Sequence, residues 1–184
     1  MGIIENSIFS NFSVSYAGAF FIDKSVDLYL SNVHFAYLTT TSYKVCSIND
    51  KVSGSCFIFL GKNIYCNKIC GYALSAAYSS HIYAYTESQY DSQLNYSSFN
   101  EGSCAYYSVI IGTGKCLTKE NNFTKLIAPV RVATLNVGWN SVSYYHRDII
   151  AVNNTGENTL GSTTSSNIEQ KHENIALISN TYKF

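Results

Sequence analysis

Phenylalanine recurs at positions 9, 35, 99 and 123, each time inside the same loose phrase. The phrase is an apolar residue, two to four mostly polar residues, Phe or another apolar residue, then a turn containing Ser or Asn. It reads IENSIFSN (4–11), LSNVHFAY (30–37), LNYSSFNE (94–101) and LTKENNFTK (117–125). The short intervals are 26 and 24 residues, and the 64-residue gap has room for two or three further units. DIIAVNNT (148–155) and ALISNT (176–181) repeat a strand-then-Asn pattern about 27 residues apart. A strand-rich, turn-punctuated period in the mid-twenties matches one coil of a parallel β-helix, in which successive coils stack roughly 4.8 Å apart and like residues pile into ladders. At about 24 residues per coil, 184 residues make about seven coils.

The composition agrees. The chain holds 25 Ser, 18 Asn and 13 Thr with 16 Tyr and 10 Phe. Tyr, Phe and Thr suit a pleated, half-buried surface, and Ser, Asn and Gly suit turns. With a single Pro at 129, turns fall to residues that tolerate left-handed backbone. Strand-like segments are read at 3–12, 17–22, 26–30, 33–38, 44–48, 56–60, 64–69, 72–78, 81–86, 92–99, 105–111, 122–127, 130–137, 142–145, 149–152 and 175–179. In HIYAYT (81–86), Ile82, Ala84 and Thr86 face one side, and Tyr83 and Tyr85 the other. The best helical candidate, residues 71–80 (GYALSAAYSS), reads equally as strand. The expected architecture is one all-β domain over 1–184, truncated at its N-terminus. The alternative is a β-sandwich or jelly roll, which also shows many short strands.

FSNFSVSYAGAFFI (9–22) resembles a recurrent phrase of large surface β-helix proteins of trichomonad-type protists, described as polymorphic-membrane-protein-like or pectin-lyase-like. The matching residues are Phe9, Asn11, Gly18, Ala19, Phe20 and Ile22, and Ala17 replaces a first Gly. The Cys- and Tyr-rich stretch 54–70, the NYSSFNEGS that follows later, and the Asn/Thr-rich final part share the style. The resemblance implies a right-handed parallel β-helix, a fragment of a longer protein, and a cell-surface or extracellular place with adhesion as the suggested role.

Charged residues make up 13% and net charge is zero. Only Arg131 and Arg147 are Arg, and the Lys residues never form a run, which argues against a nucleic-acid partner. No stretch approaches the roughly 20 apolar residues of a membrane-spanning helix. The expected partners are proteins or glycans, with self-association through uncapped coil ends as a further expectation. The Asn-x-Ser/Thr sequons at Asn11, Asn95, Asn122 and Asn153 are glycosylation candidates, at about the number that composition alone produces. Six Cys stand at Cys46, Cys56, Cys66, Cys70, Cys104 and Cys116. They read as disulfides or stacked buried thiols, with Cys46 roughly one coil before Cys66 and Cys70. CxxxC is not a zinc knuckle, and four scattered His make no ligand set, so neither metal nor cofactor is expected.

The expected role is non-catalytic. The enzymatic alternative is a polysaccharide lyase or hydrolase using the densest titratable cluster, His146, Arg147 and Asp148. Asp23 and Asp27 are separated by Lys24-Ser25, which reads as a corner. Asp50 and Asp91 have no acidic neighbour. Residues 111–115 (IGTGK) fail the phosphate-loop pattern at Val109 and Cys116 and read as a Gly turn. Cys104 or Cys116 as a nucleophile needs a placed His such as His81 or His146. Trp139 and the Tyr of HIYAY and SYYH would suit a sugar-stacking platform, or simply clothe a sheet. A glycan-binding sandwich is the third reading.

Overall fold

The computed structural model describes residues 1–23, 25–45, 51–77, 80–87, 89–111, 114–137, 143–162 and 169–182. β1 (Gly2–Ser10), β2 (Ser13–Val14) and β3 (Phe20–Asp23) make the first coil. The second holds β4 (Leu28–Ala36), β5 (Thr39–Thr40), β6 (Lys44–Val45), β7 (Lys51–Val52) and β8 (Gly54–Gly61). β9 (Ile64–Ala76) and β10 (Ser80–Thr86) make the third, and β11 (Asp91–Asn95), β12 (Ser98–Cys104) and β13 (Tyr107–Ile111) the fourth. β14 (Lys115–Val137) runs through the fifth, and β15 (Ser143–Val152) and β16 (Thr155–Ser162) form the sixth. β17 (Glu169–Ile178) and β18 (Thr181–Tyr182) begin another, which has no third-face strand among the described residues.

Pairing from coil to coil is parallel. The protein is therefore a parallel β-solenoid, and the sandwich alternative, glycan-binding or otherwise, falls because its strands would pair antiparallel. Residues 71–76 continue β9 as strand. Rung offsets, read from Gly2↔Leu28↔Ile64↔Ser92↔Cys116↔Tyr144↔Gln170, are 26, 36, 28, 24, 28 and 26 residues. Only one is as short as the expected 24, so the chain completes fewer turns than the seven expected.

Two corners recur on every rung. The first places Asn6, Asn32, Lys68, Tyr96, Glu120, Asp148 and Asn174 at positive φ; the second places Asn11, Tyr37, Ala73, Glu101, Lys125, Asn153 and Ser179 there, all between 48° and 60°. The left-handed region costs a non-Gly residue roughly 1–2 kcal/mol. Hydrogen bonds along each corner column help offset it: Asn32 Nδ2 donates to Asn6 Oδ1 (2.8 Å), Asn174 Nδ2 to Asp148 Oδ1 (2.8 Å), and Lys125 Nζ to Glu101 Oε1 (3.0 Å).

The four Phe of the sequence repeat share one inward column. Phe9 pairs with Phe35, Phe35 with Gly71, Gly71 with Phe99, and Phe99 with Phe123. The 64-residue gap thus holds a single intervening rung, where Gly takes the Phe position. A Cβ on Gly71 would stand 2.5 Å from Phe99 Cδ1, so the ring fills the space that Gly leaves. Gly18 of the opening phrase has a harder reason. A Cβ there would lie 1.7 Å from the Ser55 carbonyl oxygen, where the chain closes onto the next coil.

Two buried Asn next to the corners are satisfied along the stack. Asn154 Oδ1 accepts from Leu126 N (2.8 Å), and its Nδ2 donates to Phe123 O (3.0 Å) and to Asn180 Oδ1 (3.0 Å). Asn121 Oδ1 accepts from Ser97 N (2.9 Å), and its Nδ2 donates to Leu94 O (2.7 Å). Removing Asn154 leaves a buried N–H and a buried carbonyl without those partners. Asn154→Ala is therefore expected to lower stability by about 2 kcal/mol in urea unfolding, against a change near zero for Asn122→Ala, an exposed strand position outside the positive-φ corners.

The long second coil spends its extra residues on an excursion carrying β6 and β7, which pair antiparallel. Val52, fully buried, packs into a second apolar cluster with Ile58, Leu60, Tyr83, Tyr107, Ile110 and Val132. These lie outside the main core, which explains why Tyr83 is only 2% exposed although Ile82 and Ala84 point the other way into that core.

Candidate functional site

The first face of the solenoid, preceding the first corner, presents one outward row per rung. Strand alternation sets the rows as Asp27-Tyr29-Ser31, Asn63-Tyr65-Asn67, Asp91-Gln93-Asn95, Lys115-Leu117-Lys119 and Ser143-Tyr145-Arg147. The register Tyr29↔Tyr65↔Gln93↔Leu117↔Tyr145↔Lys171 makes the middle positions one column. The Tyr29 and Tyr65 rings stack at 4.8 Å and 16°. Beside them Asp27 Oδ1 accepts from Asn63 N (3.2 Å) and Nδ2 (2.8 Å), and Asn63 Oδ1 accepts from Asp91 N (2.8 Å). The Asn63 side-chain bond, followed by the backbone one, holds the Asp27 carboxyl below the usual range.

The later rungs form a shallow groove of about 340 Å³ over Asp91, Gln93, Lys115, Leu117, Ser143, Tyr145 and Lys171. Lys171 Nζ lies 4.7 Å from the centroid of the Tyr145 ring and 2.9 Å from Glu173 Oε1. The Tyr145 hydroxyl donates to Glu173 Oε2. That bond, more than the Lys171 bond, lowers the Glu173 carboxyl, and the same bond raises the Tyr145 phenol. Such a surface offers an apolar strip flanked by hydrogen-bond donors and acceptors of both charges.

His146, Arg147 and Asp148 do not converge. Arg147 points outward with Nε 3.0 Å from Asp148 Oδ2, and Asp148 occupies the positive-φ corner. His146 points into the core at 1% exposure, its Nδ1 2.7 Å from Thr118 Oγ1. Burial, with His172 adding to it, holds His146 down to about 3. His81 is buried likewise, its Nδ1 2.8 Å from Ser55 Oγ, and burial holds it to about 3. Asp23 closes β3, Asp27 lies past the corner that separates them, and Asp91 opens β11.

The five described cysteines are free thiols, and the register pairs none with another. One rung before Cys66 and Cys70 stand Leu30 and His34, and Cys46 lies outside the described residues. Cys70 is exposed. Burial pushes the thiols of Cys56 and Cys66 up, and those of Cys104 and Cys116 up to about 12, which disfavours the nucleophilic thiolate. Of the sequons, Asn11, Asn122 and Asn153 are exposed, whereas Asn95 is half-buried with Ser97 at 2% exposure. Asp50, Trp139 and residues 112–113 of IGTGK lie outside the described residues. Among the described residues no helix is long and apolar enough to cross a membrane.

Sequence reasoning missed the groove because its residues come from four separate rungs with unequal offsets. Of its lining, the sequence singles out the Tyr of SYYH, which contributes Tyr145, and Asp91, which reads as an isolated carboxylate. Comparison of the chain with family models, with curated proteins and with solved structures finds no match.

Proposed function

We propose that this chain is a non-catalytic interaction segment of a surface β-solenoid protein, polymorphic-membrane-protein-like in style, that engages glycans on its outer first face. The observation that carries this reading is the in-register column Tyr29, Tyr65, Gln93, Leu117, Tyr145, flanked on both sides by Asp, Asn, Lys and Ser. Sugars combine apolar ring faces with equatorial hydroxyls, so an apolar strip bordered by mixed donors and acceptors is complementary to them. A flat solenoid face repeats this row after row, which suits extended chains bound through many weak contacts. An adhesion role and a cell-surface place follow from the resemblance of the opening phrase, together with this face.

Binding to a panel of immobilised oligosaccharides tests the reading. The chain is expected to retain at least one glycan class, and Tyr145→Ala to weaken that binding about tenfold, the loss of one stacking contact. Unchanged binding in Tyr145→Ala combined with Gln93→Ala would remove the groove from the proposal. Polyuronate depolymerisation that disappears in Asp148→Asn would replace it with the enzymatic reading.

A further inference from the structure

One inward column of the first face changes character along the stack. It runs Ile4, Leu30, Cys66, Leu94, Thr118, His146 and His172. The apolar part ends at Leu94, and two imidazoles then face each other across adjacent rungs, centroids 5.3 Å apart and planes at 47°. Tyr144 walls the pair, 4.9 Å from the His146 ring and 5.5 Å from that of His172.

Three features of His146 go beyond packing. Its Nε2 is buried and has no hydrogen-bond partner, a state that buried polar atoms rarely hold. Its Nδ1 is engaged by Thr118 Oγ1 at 2.7 Å. With Nδ1–H donating to that hydroxyl, the lone pair sits on Nε2, the arrangement by which an outer hydrogen bond orients a metal-binding imidazole. The neighbouring ring in the column belongs to His172, which is exposed and opens the pair to solvent.

We propose that His146 and His172 together bind a divalent cation of the zinc class, Zn²⁺ or a late first-row ion such as Co²⁺ or Ni²⁺, through Nε2 of His146 and a ring nitrogen of His172. Imidazole is the ligand these ions favour. Two nitrogens on a tetrahedral ion stand roughly 3.4 Å apart at metal–nitrogen distances of about 2.0–2.1 Å. At this centroid separation the exposed His172 ring reaches that spacing by turning, while His146 keeps its Thr118 bond. Among the described residues no group of three or more His, Cys, Asp or Glu forms a full ligand set, so the two imidazoles are the protein's ligands and further positions would be filled from the exposed His172 side. The site is of the open, two-ligand kind. His81 supplies the contrast. It too is buried with a partnerless Nε2, but it packs against Gly102 with no second imidazole stacked on it.

The test is a titration of the untagged full chain with CoCl₂, read in the visible d–d bands, and with ZnCl₂ by calorimetry. About one equivalent is expected to bind. His172→Ala, whose exposed side chain leaves the fold intact by circular dichroism, should weaken binding at least tenfold. His81→Gln and His34→Ala should leave it unchanged. Absence of binding, equal binding in His172→Ala, or loss in His34→Ala would each overturn the assignment.

Discussion

Phe99→Ala should lower the unfolding free energy by about 3–5 kcal/mol, the range for a core aromatic truncation. Phe99 is fully buried, stacks on Phe123 at 5.8 Å and 8°, and leans into the space above Gly71. Its deletion empties two positions of the column at once, because Gly71 has no side chain to move in. A β-solenoid is stabilised by each rung against its neighbours, so a hole between the third and fourth coils weakens the joint between two halves of the stack. Urea unfolding measures the loss. The paired change Phe99→Ala with Gly71→Leu returns volume to the same space and should recover about 1–2 kcal/mol. A loss below about 1 kcal/mol for Phe99→Ala would mean that this column is not what holds the coils together.

Acidification should destabilise the fold well before its carboxylates titrate, and His81 should account for about 2 kcal/mol of the loss between pH 7 and pH 5. The sign follows from where the proton binds. The unfolded chain holds this imidazole near its ordinary value of about 6.5, whereas burial holds it to about 3 in the fold. Between those values the unfolded state takes up the proton and the folded state does not. The stabilisation is full above about pH 6.5 and is lost progressively as pH falls toward 3. His81 has no means of relief: Nδ1 is taken by Ser55, and a Cβ on Gly102 would lie 2.5 Å from Nε2, so that Gly is what admits the ring at all. The measurement is the urea midpoint from pH 7 to pH 5 for the chain and for His81→Gln. The variant should start less stable and show a shallower slope; equal slopes would refute the assignment. Asp27, Glu101 and Glu173, whose pKa values are lowered by hydrogen-bond partners, add their own loss only at lower pH.

The coil was legible wherever an offset stayed near the mid-twenties. Phe9 and Phe35, Phe99 and Phe123, and DIIAVNNT with ALISNT all fall in true register, because a solenoid forces equivalent positions into one column. It was illegible where the offset jumped. The 36-residue offset of the second coil puts Leu30 and His34, not residues 20 to 24 positions back, one rung before Cys66 and Cys70. The 26-residue step from His146 to His172 is a true register step, although the four histidines look scattered along the sequence. Corners were half legible. Asn at 6, 11, 32, 153 and 174 announced left-handed backbone, but Lys68, Ala73, Tyr96, Glu101, Glu120 and Lys125 adopt it as well. There the rungs above and below dictate the backbone, and local preference yields to the ladder. Several segments read as separate strands, such as 122–127 and 130–137, are one continuous element in β14. The candidate site was legible only as tyrosines, since its donors and acceptors are assembled by stacking rather than by proximity in sequence.

The detour between the second and third faces of the second coil changes neither rung that flanks it: β1, β4 and β9 remain in unbroken pairing on either side. Length at this point is therefore decoupled from the scaffold. A foreign peptide spliced between β6 and β7 would be carried on the flank of a rigid rod, at a height along its axis set by the coil chosen, which makes the molecule a ruler on which epitopes can be mounted.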